Sequence, residues 1–360
     1  MSCELHSGSV VDQLMVRVPG KAMLIGEYAV LDGSDAVVAA VDSYALASLR
    51  PGAAATSPFV QAALREAASA LLRLGRSLSK SDHVQVEVDT SAFSHEGQKL
   101  GLGSSAAVTV STVGCYFAWA GLAVETSEVR TLIAETAQRA HDSAQGIAGS
   151  GADILASTWG GLRRLGAGLA LAGKEPPPLR LPAGLVLHLV GTTQSASTAQ
   201  LVARYRAAQS AVVPARQQLA NAAAMFVAGC EAGNAAQVLA AVRQAAKGYR
   251  QLGTVLGCPL LTDEHAEVTA TAARLGGAAK PSGAGGGDLA VALLPDVEAA
   301  QRFAAALPRP LWVLPLQISD RGIHAMPAQH ADTRGQPQLG EGSRLPLSTI
   351  EHPNDSSRGA

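Results

Sequence analysis

The residues from Gly101 to Ala107 read GLGSSAA, a pattern that could hold a polyphosphate. Glycines let a backbone approach phosphate oxygens closely, and the free N–H groups at the start of a helix supply donors and a positive dipole end. The segment has no P-loop lysine and does not match the GxGxxG dinucleotide fingerprint. A tight turn with Ser104 or Ser105 as the N-cap of the next helix explains this fragment equally well.

A lone lysine stands in a second segment flanked by glycines. Lys21 lies in an otherwise apolar run between Gly20 and Gly26. Burying an ammonium group is costly unless an anion or a carboxylate meets it, so this lysine could bind a ligand. The alternative is a surface lysine whose stem is buried while its ammonium group reaches the solvent.

Two further loops carry groups that could contact a substrate. Residues Lys280–Asp288 read KPSGAGGGD, in which glycines dominate from Gly283 to Gly287. Such a loop can close over a ligand or form a flexible connection, although flexibility does not explain the apolar strand directly after it. Asp153 follows the Gly/Ser loop at 149–151 and precedes a buried-looking segment, where it could be a helix cap or a catalytic carboxylate.

Hydrophobic periodicity predicts the strands and helices that position these segments. Ser57 and Pro58 form a helix-start signal, and a glycine-containing turn is expected after Val18. Strands are predicted at 14–18, 36–41, 83–88, 185–190, 289–294 and 311–316. Helices are predicted at 57–75, 105–120, 128–140, 216–230, 235–251 and 264–275.

Composition limits the class of protein. The chain has 360 residues, 48% of them hydrophobic, which is enough for a large core in one or two domains. Its net charge of −1 gives no long-range field that would favour nucleic acid or an acidic membrane surface, so anionic ligands must be held locally. The cysteines are far apart and form no CxxC pair, which argues against a zinc site or a disulfide framework.

The N-terminus lacks the basic start and apolar run of a secretion signal, and we therefore expect a cytoplasmic protein. Ala106–Val124 carries no charge and is long enough to span a bilayer in principle. Its Ser, Thr and Gly residues, and the lack of an arginine-rich flanking loop, favour a helix buried inside the protein.

In this order, the segments resemble the signature motifs of the galactokinase, homoserine kinase, mevalonate kinase and phosphomevalonate kinase (GHMP) superfamily, over residues 16–320. The chain is most similar to the phosphomevalonate kinase branch, through GEYAVL at 26–31, DTSAF at 89–93 and SAST at 195–198. The loop that ends in Asp288 resembles the same branch, since mevalonate kinases usually carry another glycine there. Gly191–Gln194 departs from it, because a Gly-aromatic-Thr-Gly turn is usual at that point.

The resemblance implies the GHMP kinase fold, an α+β fold of two domains. A ribosomal protein S5 domain 2-like N-terminal domain with the phosphate-binding loop would span 1–180, and a ferredoxin-like C-terminal domain would span 181–325. ATP would lie in the cleft between them. Residues 326–360 are rich in Gly, Pro, Ser and polar residues and are predicted to be a disordered tail.

The resemblance also implies roles for individual residues. Asp153 and Lys21 would be catalytic, and the Ser105 hydroxyl would reach Mg²⁺. Asp142, on the helix before Asp153, is the candidate for a second magnesium ligand by spacing, although a longer loop would place His141 at the equivalent point. The residues expected to bind the nucleotide are Lys99, Gly101, Leu102, Gly103, Ser104, Ser105 and Ala106. Those expected to bind the acceptor are Ser150, Gly151, Ser197, Lys280, Ser282, Gly283, Ala284 and Gly285.

The reaction implied by the resemblance is ATP-dependent phosphorylation of 5-phosphomevalonate to 5-diphosphomevalonate, in the mevalonate route to isoprenoids. The second pKa of a phosphate is about 6, so Asp153 would serve orientation and charge more than proton removal. A kinase for mevalonate or another small alcohol, and a non-catalytic ligand sensor on the same fold, are the alternatives. We expect ATP and Mg²⁺ as cofactors, neither nucleic acid nor a membrane as partner, and a monomer or homodimer.

Overall fold

The computed structural model describes residues 14–51, 57–76, 84–146, 148–166 and 175–326. Helices and strands are mixed throughout this part of the chain, so the expected α+β class is confirmed. Apart from Met326, the predicted tail lies outside the described residues, and so does Cys3. The boundaries of the two expected domains stay predictions.

The described strands form two antiparallel sheets and a short hairpin. In chain order they are β1 (Met15–Ile25), β2 (Ala36–Pro51), β3 (Val84–Asp89), β4 (Ser94–His95), β5 (Gln98–Lys99), β6 (Leu162–Leu165), β7 (Pro178–Leu179), β8 (Val186–Gly191), β9 (Ala278–Pro281), β10 (Leu289–Leu294), β11 (Trp312–Leu314) and β12 (His324–Met326). The first sheet has the order β12-β1-β2-β6-β7, with β3 also on β2, and the second has the order β11-β8-β10-β9. Strands β4 and β5 form the hairpin.

The helices pack on the sheets and on one another. In chain order they are α1 (Pro58–Arg73), α2 (Ser104–Trp119), α3 (Ser127–Gln145), α4 (Ala152–Trp159), α5 (Thr198–Ala207), α6 (Val213–Glu231), α7 (Ala235–Leu256), α8 (Asp263–Arg274) and α9 (Val297–Ala306). Helices α2 and α4 pack against β1 and β2, while α8 and α9 pack against the second sheet. Helix α1 has Ser57 at its N-cap and proline in its first turn, as predicted.

Strand β1 is longer than the sequence predicts. Instead of turning after Val18, it continues to Ile25. Its register with β2 shifts between Pro19, opposite Tyr44, and Gly20, opposite Val41, so the two extra residues lie on β2 and β1 continues without a turn. Lys21 therefore lies on a strand, which fixes the direction of its side chain.

The uncharged stretch from Ala106 forms the buried helix α2, as the sequence predicts, and this helix ends at Trp119. The hydroxyls of Thr109 and Thr112 donate to the carbonyl oxygens of Ser105 and Val108, each at 2.8 Å, so these buried polar groups are satisfied within the helix. Among the described helices, none has both the length and the apolar character needed to cross a membrane.

The last described residues return to the first sheet. Strand β12 pairs with the start of β1, with Met326 opposite Met15, and the Ser319 N–H donates to the Ala40 carbonyl at 2.9 Å. The end of the described chain thus forms an edge strand of this sheet. Strand β1 pairs with β12 at residues 15–17 and with β2 along most of its length, where Lys21 lies opposite Ala40.

Helices α4, α5 and α9 have no predicted counterpart. Helix α4 is short and nearly all of its residues are buried, so it shows no polar stripe of helical period. In helix α5 only Tyr205 is buried, which leaves too weak an apolar face for its periodicity to indicate a helix.

Candidate active site

The GLGSSAA segment forms a tight loop that leads into α2. Gly101 and Gly103 adopt left-handed backbone angles, with φ of 67° and 76°, which glycine adopts without a steric penalty. Gly103 is the N-cap of α2, so the alternative in which Ser104 or Ser105 caps the helix is wrong. In the described part of the chain, no side chain caps the first turn of α2, and its N–H groups remain available for an anion.

The side chain of Lys21 lies along this loop. The Lys21 N–H donates to the Leu102 carbonyl at 2.9 Å, which joins strand and loop. A Cβ atom added at Gly103 would lie 2.9 Å from Cε of Lys21, so only glycine leaves room for the lysine. The structure thus places the half-buried residue Lys21 beside an uncapped helix start, where both would attract phosphate.

The Lys280–Asp288 loop is fastened to the end of β1 by hydrogen bonds. Ser282 Oγ accepts from the Met23 N–H at 3.1 Å and donates to the Met23 carbonyl at 3.0 Å. The Tyr28 hydroxyl donates to the Ala284 carbonyl at 2.6 Å. The hydroxyl of Tyr249 donates to the Gly283 carbonyl from the other side.

These bonds change the interpretation of several residues expected to bind the acceptor. The Ser282 hydroxyl is engaged with the strand as both donor and acceptor, and the Gly283 N–H donates to Glu27 Oε1 at 3.2 Å. Gly285 packs so closely on the Leu260 carbonyl that an added Cβ would lie 2.5 Å from its oxygen. The loop is a fixed wall of the site, and the idea of a flexible connection is wrong.

The structure contradicts the predicted contact between Lys280 and the acceptor, because the Lys280 side chain is completely buried. Its ammonium group forms an ion pair with Glu27 Oε1 at 2.5 Å and donates to the Pro281 carbonyl at 2.7 Å. The ring of Tyr249 lies 5.5 Å from the same nitrogen. Burial lowers the pKa of Lys280, while the Glu27 carboxylate opposes that shift. The positive charge of Lys280 therefore neutralises a buried carboxylate of the protein itself.

Asp153 occupies the first turn of α4 and is half-buried. The N-cap of this helix is Gly151, with a left-handed φ of 76°, so the helix-cap interpretation of Asp153 is wrong. The carboxylate accepts a long hydrogen bond of 3.3 Å from the Ile154 N–H. In the described contacts it forms no ion pair with Lys21, so the expected proximity of these two groups stays a prediction.

The two candidate magnesium ligands have different partners. Ser105 Oγ lies 3.1 Å from Nε2 of the buried His141. Asp142 Oδ1 accepts from Gln138 Nε2 at 2.8 Å and from the Gly149 N–H at 2.9 Å, which holds the loop before α4. No cluster of three or more His, Cys, Asp or Glu residues in the described part of the chain is arranged to hold a metal.

The oxygens of Ser105 and Asp142 can hold a magnesium ion only if phosphate oxygens and water supply its other ligands. Mg²⁺ is commonly held by one or two protein oxygens together with substrate phosphates and water. The Ser105 hydroxyl is half-buried at the uncapped start of α2 and can serve as such an oxygen. Asp142 as the second ligand stays a prediction, because Gln138 and Gly149 use one of its oxygens.

The other predicted residues lie around the site in different environments. Lys99 is exposed on the β4–β5 hairpin. Ala106 is buried in the first turn of α2. Ser150 Oγ accepts from the Ala152 N–H at 3.4 Å, and Ser197 is the N-cap of α5 and accepts from the Gln200 N–H at 3.5 Å. Their roles in binding stay predictions.

Sequence reasoning missed the residues that hold the unusual Gly191–Gln194 segment. Gln98 donates to the carbonyl oxygens of Thr192 and Thr193, both at 3.1 Å. The Glu264 carboxylate accepts from the N–H of Thr193 at 2.9 Å. Nothing local in the sequence signals these contacts, because the partners are distant along the chain.

Comparison with known proteins agrees with this geometry. The family model described as the N-terminal domain of GHMP kinases matches residues 60–161. A phosphomevalonate kinase from Streptomyces sp. strain CL190 is 33% identical over 371 residues, an alignment that covers 84% of this chain and 96% of that enzyme. The chain belongs to the phosphomevalonate kinase family.

Solved structures show the fold of this phosphomevalonate kinase family member. The Lin0012 protein of Listeria innocua superposes with a TM-score of 0.74 at 23% identity, over 87% of this chain and 99% of that one. Streptococcus pneumoniae phosphomevalonate kinase in complex with phosphomevalonate and AMPPNP gives a TM-score of 0.71 at 20% identity, over 84% and 99% of the two chains. The expected GHMP kinase fold is confirmed.

We predict that Lys280→Met lowers the free energy of unfolding by about 3–5 kcal/mol, because it leaves the Glu27 carboxylate buried without its counter-charge. Urea denaturation measures this loss. The control is Lys99→Met at an exposed lysine, which should change stability by less than about 0.5 kcal/mol. Unchanged stability in Lys280→Met, together with weaker acceptor binding, would restore the acceptor role of this lysine.

A second prediction concerns the space that Gly103 leaves for Lys21. Gly103→Ala and the control Gly97→Ala both place alanine at a left-handed φ, which costs about 1–2 kcal/mol, but nothing lies within 4 Å of an added Cβ at Gly97. Only Gly103→Ala displaces Lys21, so it should lower kcat/KM for ATP by at least about tenfold. Steady-state kinetics and thermal melts of both variants check this, and equal kinetic losses would contradict it.

Proposed function

We propose that this chain transfers the γ-phosphoryl group of ATP to 5-phosphomevalonate and releases 5-diphosphomevalonate and ADP. The observation that carries the proposal is the uncapped first turn of α2 with the Lys21 side chain along its loop. The name of the Streptomyces relative supports the choice of acceptor, as does the Streptococcus complex with phosphomevalonate and AMPPNP.

The nucleotide phosphates would accept hydrogen bonds from the N–H groups at the start of α2. These groups are fixed before the ligand arrives, so no energy is spent on turning them toward the phosphates. Lys21 would approach the transferring group from β1 and stabilise the negative charge that develops on its oxygens. Mg²⁺, held by Ser105 together with phosphate oxygens and water, would supply further neutralisation of the same charge.

The acceptor phosphate would lie near the N-terminus of α4. One of its oxygens attacks the γ-phosphorus, the bond between the γ-phosphorus and the bridging oxygen breaks, and ADP leaves with the electron pair. The acceptor is largely a dianion at neutral pH, because its second pKa is about 6, and it needs no strong base. Asp153 would therefore orient the acceptor and Lys21 and would not act mainly by removing a proton.

The acceptor is tested by measuring ADP release with ATP and Mg²⁺ on a matched pair of substrates. We expect kcat/KM for 5-phosphomevalonate to exceed that for mevalonate by at least about 100-fold, since a site built for an anionic group loses its charged contacts with the alcohol. Turnover of mevalonate alone would assign the chain to small alcohols. ATP binding without transfer to either acceptor would indicate a ligand sensor.

The role of Asp153 is tested by Asp153→Asn, which keeps the shape of the side chain and removes its charge. We expect kcat to fall by about 10²–10³, because a neutral side chain no longer orients the acceptor and Lys21 by its charge. The matched control is Asp296→Asn at the N-cap of α9, where asparagine caps as well as aspartate. A loss of less than about tenfold in Asp153→Asn would remove this residue from the mechanism.

A further inference from the structure

Asp288 adopts a backbone conformation that aspartate reaches only at a cost. Its φ is 62°, in the left-handed region. Glycine occupies three other left-handed positions of the same loop, at 283, 285 and 286. This conformation is sterically strained for a residue with a Cβ atom and unstrained for glycine. The sequence therefore has a carboxyl group at a position where glycine would be less strained.

The main chain at Asp288 does not need that side chain. Its N–H donates to the Gln194 carbonyl at 2.7 Å, and its carbonyl accepts from the Thr192 N–H at 2.9 Å and the Thr192 hydroxyl at 3.1 Å. Glycine would make the same three hydrogen bonds. The reason for an aspartate must therefore lie in what its carboxyl group contacts.

The carboxyl group lies where three segments of the site meet. Oδ1 accepts a hydrogen bond from Ser195 Oγ at 3.2 Å, which reaches the SAST segment. On the other side, a Cβ added at Gly101 would lie 2.7 Å from Cβ and 3.2 Å from Cγ of Asp288, so the side chain packs directly on the phosphate loop. Gly101 must be glycine to allow this approach.

The charge of Asp288 also acts on the site. Burial raises the pKa of this carboxyl, while the Ser195 hydrogen bond and the positive charge of Lys21 oppose the shift. In the described contacts Lys21 and Asp288 form no direct ion pair, so the two charges attract each other from separate positions, Asp288 at Gly101 and Lys21 at Gly103. The carboxylate can therefore draw the ammonium group toward the loop without neutralising it by contact.

We propose that Asp288 is a positioning residue for phosphoryl transfer: it packs on Gly101, bonds to Ser195 and holds the Lys21 ammonium group at the phosphate loop. The inference rests on the proposed function and deepens it by assigning a task to a residue whose side chain contacts Ser195 and Gly101. Its effect should appear in kcat, since the N–H groups that bind the nucleotide belong to α2 and remain in place.

The test compares Asp288→Gly and Asp288→Asn with the unmodified full-length chain. Asp288→Gly removes the strain, so its melting temperature should stay within about 2 °C of the original or rise. Its kcat should nevertheless fall by about 10–100-fold, with KM for ATP changed by less than about threefold, because a displaced Lys21 costs rate and not binding. Asp288→Asn keeps the packing and the Ser195 contact, so it should retain more activity than Asp288→Gly.

Gln209→Gly is the matched control, because Gln209 is exposed, has a left-handed φ of 45° and lies outside the loop. It should relieve similar strain and leave kcat unchanged. Asp288→Gly with kcat within about twofold of the original would overturn the proposal. A fall in kcat accompanied by a drop of more than about 5 °C in melting temperature would also overturn it, since Asp288 would then act only by stabilising the fold.

A readout without substrates separates this proposal from the proposed function. Lys21 is labelled with a limiting amount of acetic anhydride and quantified by mass spectrometry. Its labelling should increase at least about twofold in Asp288→Gly relative to Gln209→Gly, because an amine that is no longer held against the phosphate loop is more accessible to the reagent. If the unmodified chain fails to phosphorylate 5-phosphomevalonate, the proposed function fails, and kcat is then compared on the acceptor it does use. Unchanged labelling contradicts the proposal for Asp288 in either case.

Discussion

The buried ion pair between Glu27 and Lys280 determines how the site is assembled. Glu27 follows the strand that carries Lys21, and Lys280 begins the glycine-rich loop that ends in Asp288. Neither charge is stable alone in the interior, so the pair requires the strand end and the loop to stay together. The hydrogen bonds of Ser282 to Met23 and of Tyr28 to Ala284 then fix their register.

The geometry of the candidate site follows from this arrangement. Because β1 and the Lys280–Asp288 loop are joined, Lys21 packs on the phosphate loop at Gly103 and Asp288 packs on it at Gly101. Gly103 leaves room for the lysine and Gly101 leaves room for the aspartate, so each glycine serves a specific neighbour. The charges of the site thus surround an uncapped helix start, where a polyphosphate would bind with little rearrangement.

Local signals in the sequence predicted the parts of this site that depend on backbone conformation. The GLGSSAA segment does lead directly into a helix, and the Ser57-Pro58 signal does begin another. The order of the motifs indicated the family correctly. These features are readable because they depend on one short segment at a time.

The errors concern side chains whose partners are distant in the sequence. Lys280 looked like an acceptor ligand because it adjoins the glycine-rich loop, and only the fold shows that it meets Glu27. The contact between Ser105 and His141 joins two helices and leaves no pattern in either segment. A polar residue in a motif can bind a substrate or fasten the motif to its support, and the sequence does not distinguish these uses.

The most direct test of this account is a crystal structure of the chain with AMPPNP, Mg²⁺ and 5-phosphomevalonate. It should show the β- and γ-phosphates within hydrogen-bonding distance of the N–H groups at the start of α2. Lys21 Nζ should lie against the γ-phosphate, and the acceptor phosphate near Asp153. Nucleotide phosphates bound away from α2, or a Lys21 side chain directed away from them, would contradict the central claim.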